Sequence, residues 1–230
     1  MAISRYLAMT DTEFSISQPA SWTSAWMACH FSPYDTGLTN LPQKLPRGTL
    51  LILNDRIPPM HCDIGRIYVV LEQFIHTQGC SGLLLDFQRK DCSQLNKICQ
   101  KLIGLNCPVA VSLPYAKELS CPVFLPPVPI LTTPADYLSC WKGREIWLEI
   151  SLNSTRITLD MERSKTETVP CINFPLPFRD ENLLCHYKLA LSETNCVFYL
   201  QRTRQDLDEL LDKAGQFGVT TAVGLWQELK

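Results

Sequence analysis

None of the 11 cysteines falls in a C-x-x-C pair or an equivalent zinc spacing, so neither a disulfide framework nor a structural zinc site is expected. A free thiol packs as a small hydrophobe, and Cys80, Cys107 and Cys121 adjoin apolar strand-like runs, which makes them core fillers. Only Cys29 has a histidine, His30, as its immediate neighbour near the end of a predicted strand, and adjacent strand residues face opposite sides, which argues against a nucleophile and base pair. The chain also lacks a Gly-rich phosphate loop and any His or Cys ligand pattern, so no nucleotide, metal or other cofactor is expected. Charge of either sign is scarce in excess: 21 Lys and Arg stand against 23 Asp and Glu, with no basic stripe to meet a phosphate backbone, and nucleic acid is excluded as a partner. No run approaches the roughly 18 apolar residues that span a bilayer. The first ten residues lack the apolar core of a secretory signal, so a soluble, cytoplasmic protein is the expectation.

What is present is an ordinary globular composition, 46% hydrophobic and 19% charged, in 230 residues. That length suits one domain, residues 1–230, at the small end for an eight-unit α/β barrel. Short apolar runs rich in β-branched and aromatic residues alternate with polar, proline-containing or helix-periodic stretches, the pattern of β/α units. Eight strands are predicted, at residues 3–9, 25–31, 49–54, 82–87, 109–113, 123–125, 145–151 and 221–225. Runs such as Leu50-Leu51-Ile52-Leu53 and Leu83-Leu84-Leu85 are apolar without alternation, as a parallel strand buried on both faces requires. Helices are predicted over residues 63–77, stopped by Gly79; from a Ser93 cap through Leu102; and from Thr203 or Arg204 to Gly215 or Gly218. Proline crowds the other connections, at Pro114 and from Pro126 to Pro134, and leaves room for little helix.

The expected fold is therefore a compact (β/α)8 TIM-type barrel with a small antiparallel β-hairpin insertion between strands 7 and 8, at about residues 153–202. Within the insertion, residues 155–160 read as a strand, residues 186–191 and 196–200 as a hairpin around Ser192-Glu193-Thr194-Asn195, and residues 162–169 as a solvated polar loop.

The fourth strand reads Gly82-Leu83-Leu84-Leu85-Asp86-Phe87-Gln88. It resembles the signature strand of family 18 glycoside hydrolases, the chitinase-like barrels, whose pattern is a glycine followed by Asp-x-Asp-x-Glu. Gly82 and Asp86 keep that pattern, whereas Leu84 stands in place of the first aspartate and Gln88 in place of the glutamate. The end of the chain, Gly218-Val219 and then Ala222-Val223-Gly224-Leu225-Trp226, is similar to the family's last strand, where a tryptophan forms the floor of the sugar subsite. The hairpin followed by a helix and that strand, with Gly143 to Ile150 as the seventh strand, resembles the layout of the spore-cortex and spore-germination branch.

As the resemblance implies, the family's glutamate protonates the leaving oxygen while the substrate's N-acetyl carbonyl attacks the anomeric carbon, and the neighbouring aspartate orients the acetamido group. Residues 84, 86 and 88 share one face of a strand, which is why the spacing of two matters. Gln88 has the length of glutamate and can hydrogen-bond a sugar, but its amide cannot deliver a proton, a loss worth about 10²- to 10⁴-fold. Other rim candidates are Asp55, which could flank a pocket with Asp86 but is more simply read as pairing with Arg56 or capping the turn before Pro58-Pro59; His30 at the end of the second strand and Tyr34 after it; and Tyr115 after the fifth. Trp226 offers a flat face for a sugar ring or a plug for the barrel. Glu145 and Glu149 lie toward the start and middle of the seventh strand, away from the rim.

Three readings stay open on this basis. The chain is a catalytically inactive barrel that binds an N-acetylglucosamine-containing carbohydrate, a hydrolase using Asp86 with Asp55 or His30, or a ligand-free scaffold for protein contacts. An open mouth would favour the first two, and a mouth filled by Phe31, Tyr115 or the proline segment the third. Oligomeric state is not legible.

Overall fold

A computed structural model of the chain describes residues 2–14, 22–60, 62–160, 163–192 and 194–229. Its strands, in chain order, are β1 (Ser4–Met9), β2 (Thr23–Phe31), β3 (Leu38–Thr39), β4 (Leu50–Asn54), β5 (Gly82–Asp86), β6 (Val109–Ser112), β7 (Val123–Leu125) and β8 (Ile146–Ile150). They continue with β9 (Ser154–Asp160), β10 (Ser164–Val169), β11 (Phe178–Asp180), β12 (Cys185–Leu191), β13 (Asn195–Gln201) and β14 (Val219–Leu225). The strands β1-β2-β4-β5-β6-β7-β8-β14 pair in parallel in that order, and β14 returns to β1, closing an eight-stranded barrel. These are the eight strands expected from the apolar runs, and β3 is an antiparallel rider on β2.

The unbroken apolar runs are explained by two cores. Along β4, Leu51 and Leu53 join the layer between strands and helices, while Leu50 and Ile52 join a separate cluster inside the barrel. Side chains alternate across a strand, so a strand with helices outside and a filled lumen inside must be apolar on both faces. Inside, Ala8, Ala25 and Ala110 leave space for Phe124 and Trp147. Crowding is severe where β5 starts: a Cβ on Gly82 would sit 2.7 Å from the carbonyl oxygen of Pro108.

The helices are α1 (Ile64–Gln78), α2 (Ser93–Leu102), α3 (Leu113–Ala116), α4 (Pro134–Ser139), α5 (Arg204–Ala214) and α6 (Trp226–Leu229). At the start of α1 the Asp63 side chain accepts the Arg66 N–H, and Gly79 ends it with a left-handed φ of 65°. Helix α5 opens with a reciprocal capping box of Thr203 and Asp206. One expected cap is displaced: Ser93 is the first residue of α2, and Cys92 occupies the cap position without a side-chain bond. The proline-rich connections hold only the one-turn α3 and the six-residue α4. Among the described residues no helix is long and apolar enough to cross a membrane.

The insertion is larger than a hairpin. It is a five-stranded antiparallel sheet in the order β10-β9-β13-β12-β11. Residues 164–169, expected as a loop, form β10 along β9; Glu162 and, in the hairpin turn, Glu193 lie outside the described residues. The strand carries polar side chains on both faces and so has no alternation to read, and it is held by backbone pairing and by Arg156, whose guanidinium meets Glu167 at 2.7 Å across the ladder. Arg179 on β11 ties the sheet to α5 through Asp206 (2.9 Å) and Glu209 (2.7 Å). The buried Arg202 donates to the Val128 carbonyl (2.6 Å) and the Leu183 carbonyl (3.2 Å), joining the sheet's end to the connection after β7.

Candidate functional site

The C-terminal ends of the barrel strands surround a cavity of about 750 Å³. Its apolar part is formed by Met27, Ile52, Leu84, Phe124 and Val223, and above them stand His30, Asn54, Asp86, Gln88, Arg89 and Glu149. Strand parity sets this division. In β4 and β5 the inward positions step from Ile52 to Asn54 and from Leu84 to Asp86, and both pairs are in register across the ladder. The lumen thus changes from apolar to polar at one level.

Asn54 donates through Nδ2 to the Met27 carbonyl (2.9 Å), and the His30 ring Nδ1 bonds the Ala28 carbonyl (2.8 Å). Asp55 is only 5% exposed. Its two carboxylate oxygens accept the backbone N–H groups of Gln88 (3.0 Å) and Arg89 (2.8 Å). It touches the cavity edge, but its hydrogen-bonding role is to hold the turn that follows β5; of the two readings open for it, this is a turn-stabilising one, although the turn is that of Gln88, not of Pro58. Ser112 clamps the same turn, its hydroxyl accepting the Phe87 N–H (2.9 Å) and donating to the Phe87 carbonyl (2.8 Å).

Gln88, carried on that turn, donates through Nε2 to Asp86 Oδ1 (2.5 Å). Burial pushes the Asp86 carboxyl up; the Gln88 bond opposes that and the Asp55 charge adds to it, leaving it above its ordinary range. Glu149, on β8, lines the same cavity. Burial first, then the charges of Asp86 and Glu228, push its carboxyl up to about 7. Among the described residues Glu149 has no hydrogen-bond or ion-pair partner, whereas Glu145 accepts from Trp147 Nε1 (3.1 Å) and Thr220 (2.7 Å) at the strand's other end. Glu149 is the site residue that the sequence reading passed over. The signal was there: Ile146, Leu148 and Ile150 mark the face of β8 turned to the helices, so Trp147 and Glu149 must face the lumen.

Asp86, Gln88, Asp55 and His30 are brought together, and three expected aromatics are not. Tyr34 is 96% exposed and is not among the residues lining the cavity. Tyr115 is buried outside the lumen, packed edge-on against Phe87 with its hydroxyl donating to the Arg89 carbonyl. Trp226 begins α6 and packs with the outer core, leaving Phe124 as the aromatic ring lining the cavity among the described residues. Cys29 is fully buried in that outer core, and burial pushes its thiol up to about 12, so it is no nucleophile for His30. No group of three or more His, Cys, Asp or Glu among the described residues is arranged to hold a metal ion.

In its fold the chain is similar to solved chitinase-like structures. The chain matches the spore cortex-lytic enzyme SleL of Bacillus cereus with a TM-score of 0.61 at 10% identity, over 97% of this chain and 70% of that one. It matches a glutamine-for-glutamate mutant of the class V chitinase from Nicotiana tobaccum, in complex with NAG4, with a TM-score of 0.62 at 10% identity, over 98% and 94%. The chitinase-like agglutinin RobpsCRA from Robinia pseudoacacia matches with a TM-score of 0.60 at 11% identity, over 95% and 93%. No protein-family model and no curated protein sequence matches the chain. At these identities the likeness establishes the fold, and it agrees with the chitinase-like, spore-cortex layout expected from the sequence.

Proposed function

We propose that the cavity binds a carbohydrate of the N-acetylglucosamine-oligomer class, with Gln88 serving as a hydrogen-bonding group and not as the acid that the family pattern implies. The observation that carries this reading is the Gln88 to Asp86 hydrogen bond at the mouth of an open cavity. The amide fixes the carboxylate toward the lumen, where the remaining Asp86 lone pairs, Asn54, His30 and Arg89 offer a mixed set of donors and acceptors suited to sugar hydroxyls and an acetamido group. Proteins of the same fold lend support. One is described as an agglutinin, and a glutamine-for-glutamate chitinase mutant holds NAG4, so loss of an acid is compatible with binding on this fold. An open mouth, filled neither by Phe31 nor by Tyr115, weighs against the scaffold reading. Pairing of Asp86 with Asp55 as an acid and base is weakened because both Asp55 oxygens are held by backbone.

Calorimetric titration with N-acetylglucosamine hexamer tests the proposal. Binding is expected in wild type and, within about twofold, in Trp226→Ala, because that ring lies outside the cavity. Asp86→Ala is expected to weaken it by about 10- to 100-fold, the worth of one charged hydrogen bond. Absence of any saturable signal at millimolar hexamer would refute the reading.

A further inference from the structure

Four carboxyl groups line the cavity from the barrel strands and the turns directly after them: Asp11 is exposed, Asp55 is held by two backbone N–H groups and Asp86 by the Gln88 amide. Glu149 has no such tie among the described residues. Its position is also particular. A second pocket of about 290 Å³ lies under the inserted sheet, lined by Pro127, Ser151, Thr155, Arg202 and Glu228, and Glu149 belongs to both pockets. Glu149 is the residue that the linings of the two pockets share.

Resting on the carbohydrate-binding reading, we propose that Glu149 is the proton donor of a glycoside-cleaving site on β8, with the scissile bond lying at the junction of the two pockets. The Glu149 carboxylic acid gives its proton to the glycosidic oxygen. The bond from that oxygen to the anomeric carbon breaks, with its electron pair going to the oxygen, and the carbonyl oxygen of the substrate's own N-acetyl group closes onto the anomeric carbon. The Asp86 carboxyl, oriented by Gln88, stabilises the positive charge on that ring. Water then adds to the anomeric carbon as the bond from that carbon to the N-acetyl oxygen breaks, its electron pair returning to the carbonyl oxygen, and the water gives a proton to the Glu149 carboxylate, so one linkage and one water become two sugar ends. The groups that face Glu149 favour its acid form at neutral pH: Asp86 from β5 and Glu228 from α6 repel its charge, Tyr137 of α4 is a neutral neighbour, and Arg202 stands at the second pocket with its guanidinium given to carbonyls. With Glu149 raised to about 7, cleavage falls about tenfold per pH unit above that value.

The test measures new reducing ends from N-acetylglucosamine hexamer from pH 5 to 9, with calorimetric binding of the same hexamer in parallel. Wild type is expected to cleave with a descending limb near pH 7. Glu149→Gln, of equal size, is expected to lose about 10²- to 10⁴-fold of the rate while binding the hexamer within about threefold. Hexamer bound but uncleaved by wild type overturns the donor assignment and leaves the binding reading standing, whereas no binding removes both. Cleavage that persists in Glu149→Gln, or a wild-type rate flat through pH 7, also overturns it, the latter without reliance on a variant.

Discussion

Removing the Asp55 carboxylate should unfasten the turn that carries Gln88. In the native fold the group is 5% exposed and accepts two backbone N–H groups, at 3.0 and 2.8 Å. Hydrogen bonds to a charged group contribute about 1.5–3 kcal/mol each, and Asp55→Ala leaves two amides of a half-buried turn without an acceptor. The expected loss is about 3–5 kcal/mol, a large part of the roughly 5–15 kcal/mol that domains possess. For a chain of this size that corresponds to a fall in Tm of about 6–20 °C. Differential scanning calorimetry on Asp55→Ala and Asp55→Asn measures it. The asparagine retains one oxygen acceptor but turns an NH2 toward the second N–H, so it too should be destabilised, by less than alanine. If Asp55→Ala melts within about 2 °C of wild type, Asp55 is not the clamp described here, and the position of Gln88 must be set by Ser112 and packing alone.

Glu149→Gln should stabilise the fold above pH 7 and leave it unchanged near pH 4. The folded-state carboxyl is raised to about 7, so the native chain binds the extra proton and wild-type stability declines as pH rises from the ordinary carboxylate range through about 7; the glutamine variant lacks that decline, a difference of about 1–3 kcal/mol in urea unfolding at pH 8. Parallel pH profiles for the two proteins would contradict the assigned shift. Arg179→Ala should loosen the inserted sheet, because it removes the bonds to Asp206 and Glu209 on α5. Faster amide exchange in β11 and β12, with the barrel strands unchanged, is the expected pattern, and uniform protection would argue against an anchoring role. In Gly82→Ala the new methyl meets the Pro108 carbonyl oxygen at 2.7 Å, a backbone atom that cannot swing aside, and a loss of about 1–3 kcal/mol is expected in the same unfolding assay.

The barrel was legible because its strands are buried twice over. A run such as Leu50-Leu51-Ile52-Leu53 is what a strand buried on both faces requires, and the Gly79 stop of α1 is local chemistry that sequence states directly. The inserted sheet was half legible. Strand β9 announces itself through Ile157 and Leu159, but β10 draws its stability from pairing with β9 and from the Arg156 to Glu167 contact, neither of which leaves an alternating pattern. The aromatic lining was not legible for a different reason. Tyr34, Tyr115 and Trp226 all follow the ends of strands, where alternation no longer fixes direction, and each turns out of the lumen: Tyr34 into solvent, Tyr115 toward Phe87 and the Arg89 carbonyl, Trp226 onto the outer core.

Polar satisfaction separates the carboxyls better than position does. Asp55, Asp86 and Glu149 all stand at the C-terminal ends of barrel strands, the level at which such barrels place their chemistry. Asp55 answers a structural demand, since without it two turn amides lack acceptors. Glu149 answers none among the described residues. An apolar residue there would extend the lumen layer of Phe124 and Trp147 and would spare the fold the cost of a buried carboxyl between Asp86 and Glu228. Among the described residues Glu149 is thus a costly group with no hydrogen-bond or ion-pair partner, and it lines two pockets at once. Gln88 is the converse case: its amide donates to Asp86 on β5, while the carboxyl raised to about 7 lines the same cavity from β8.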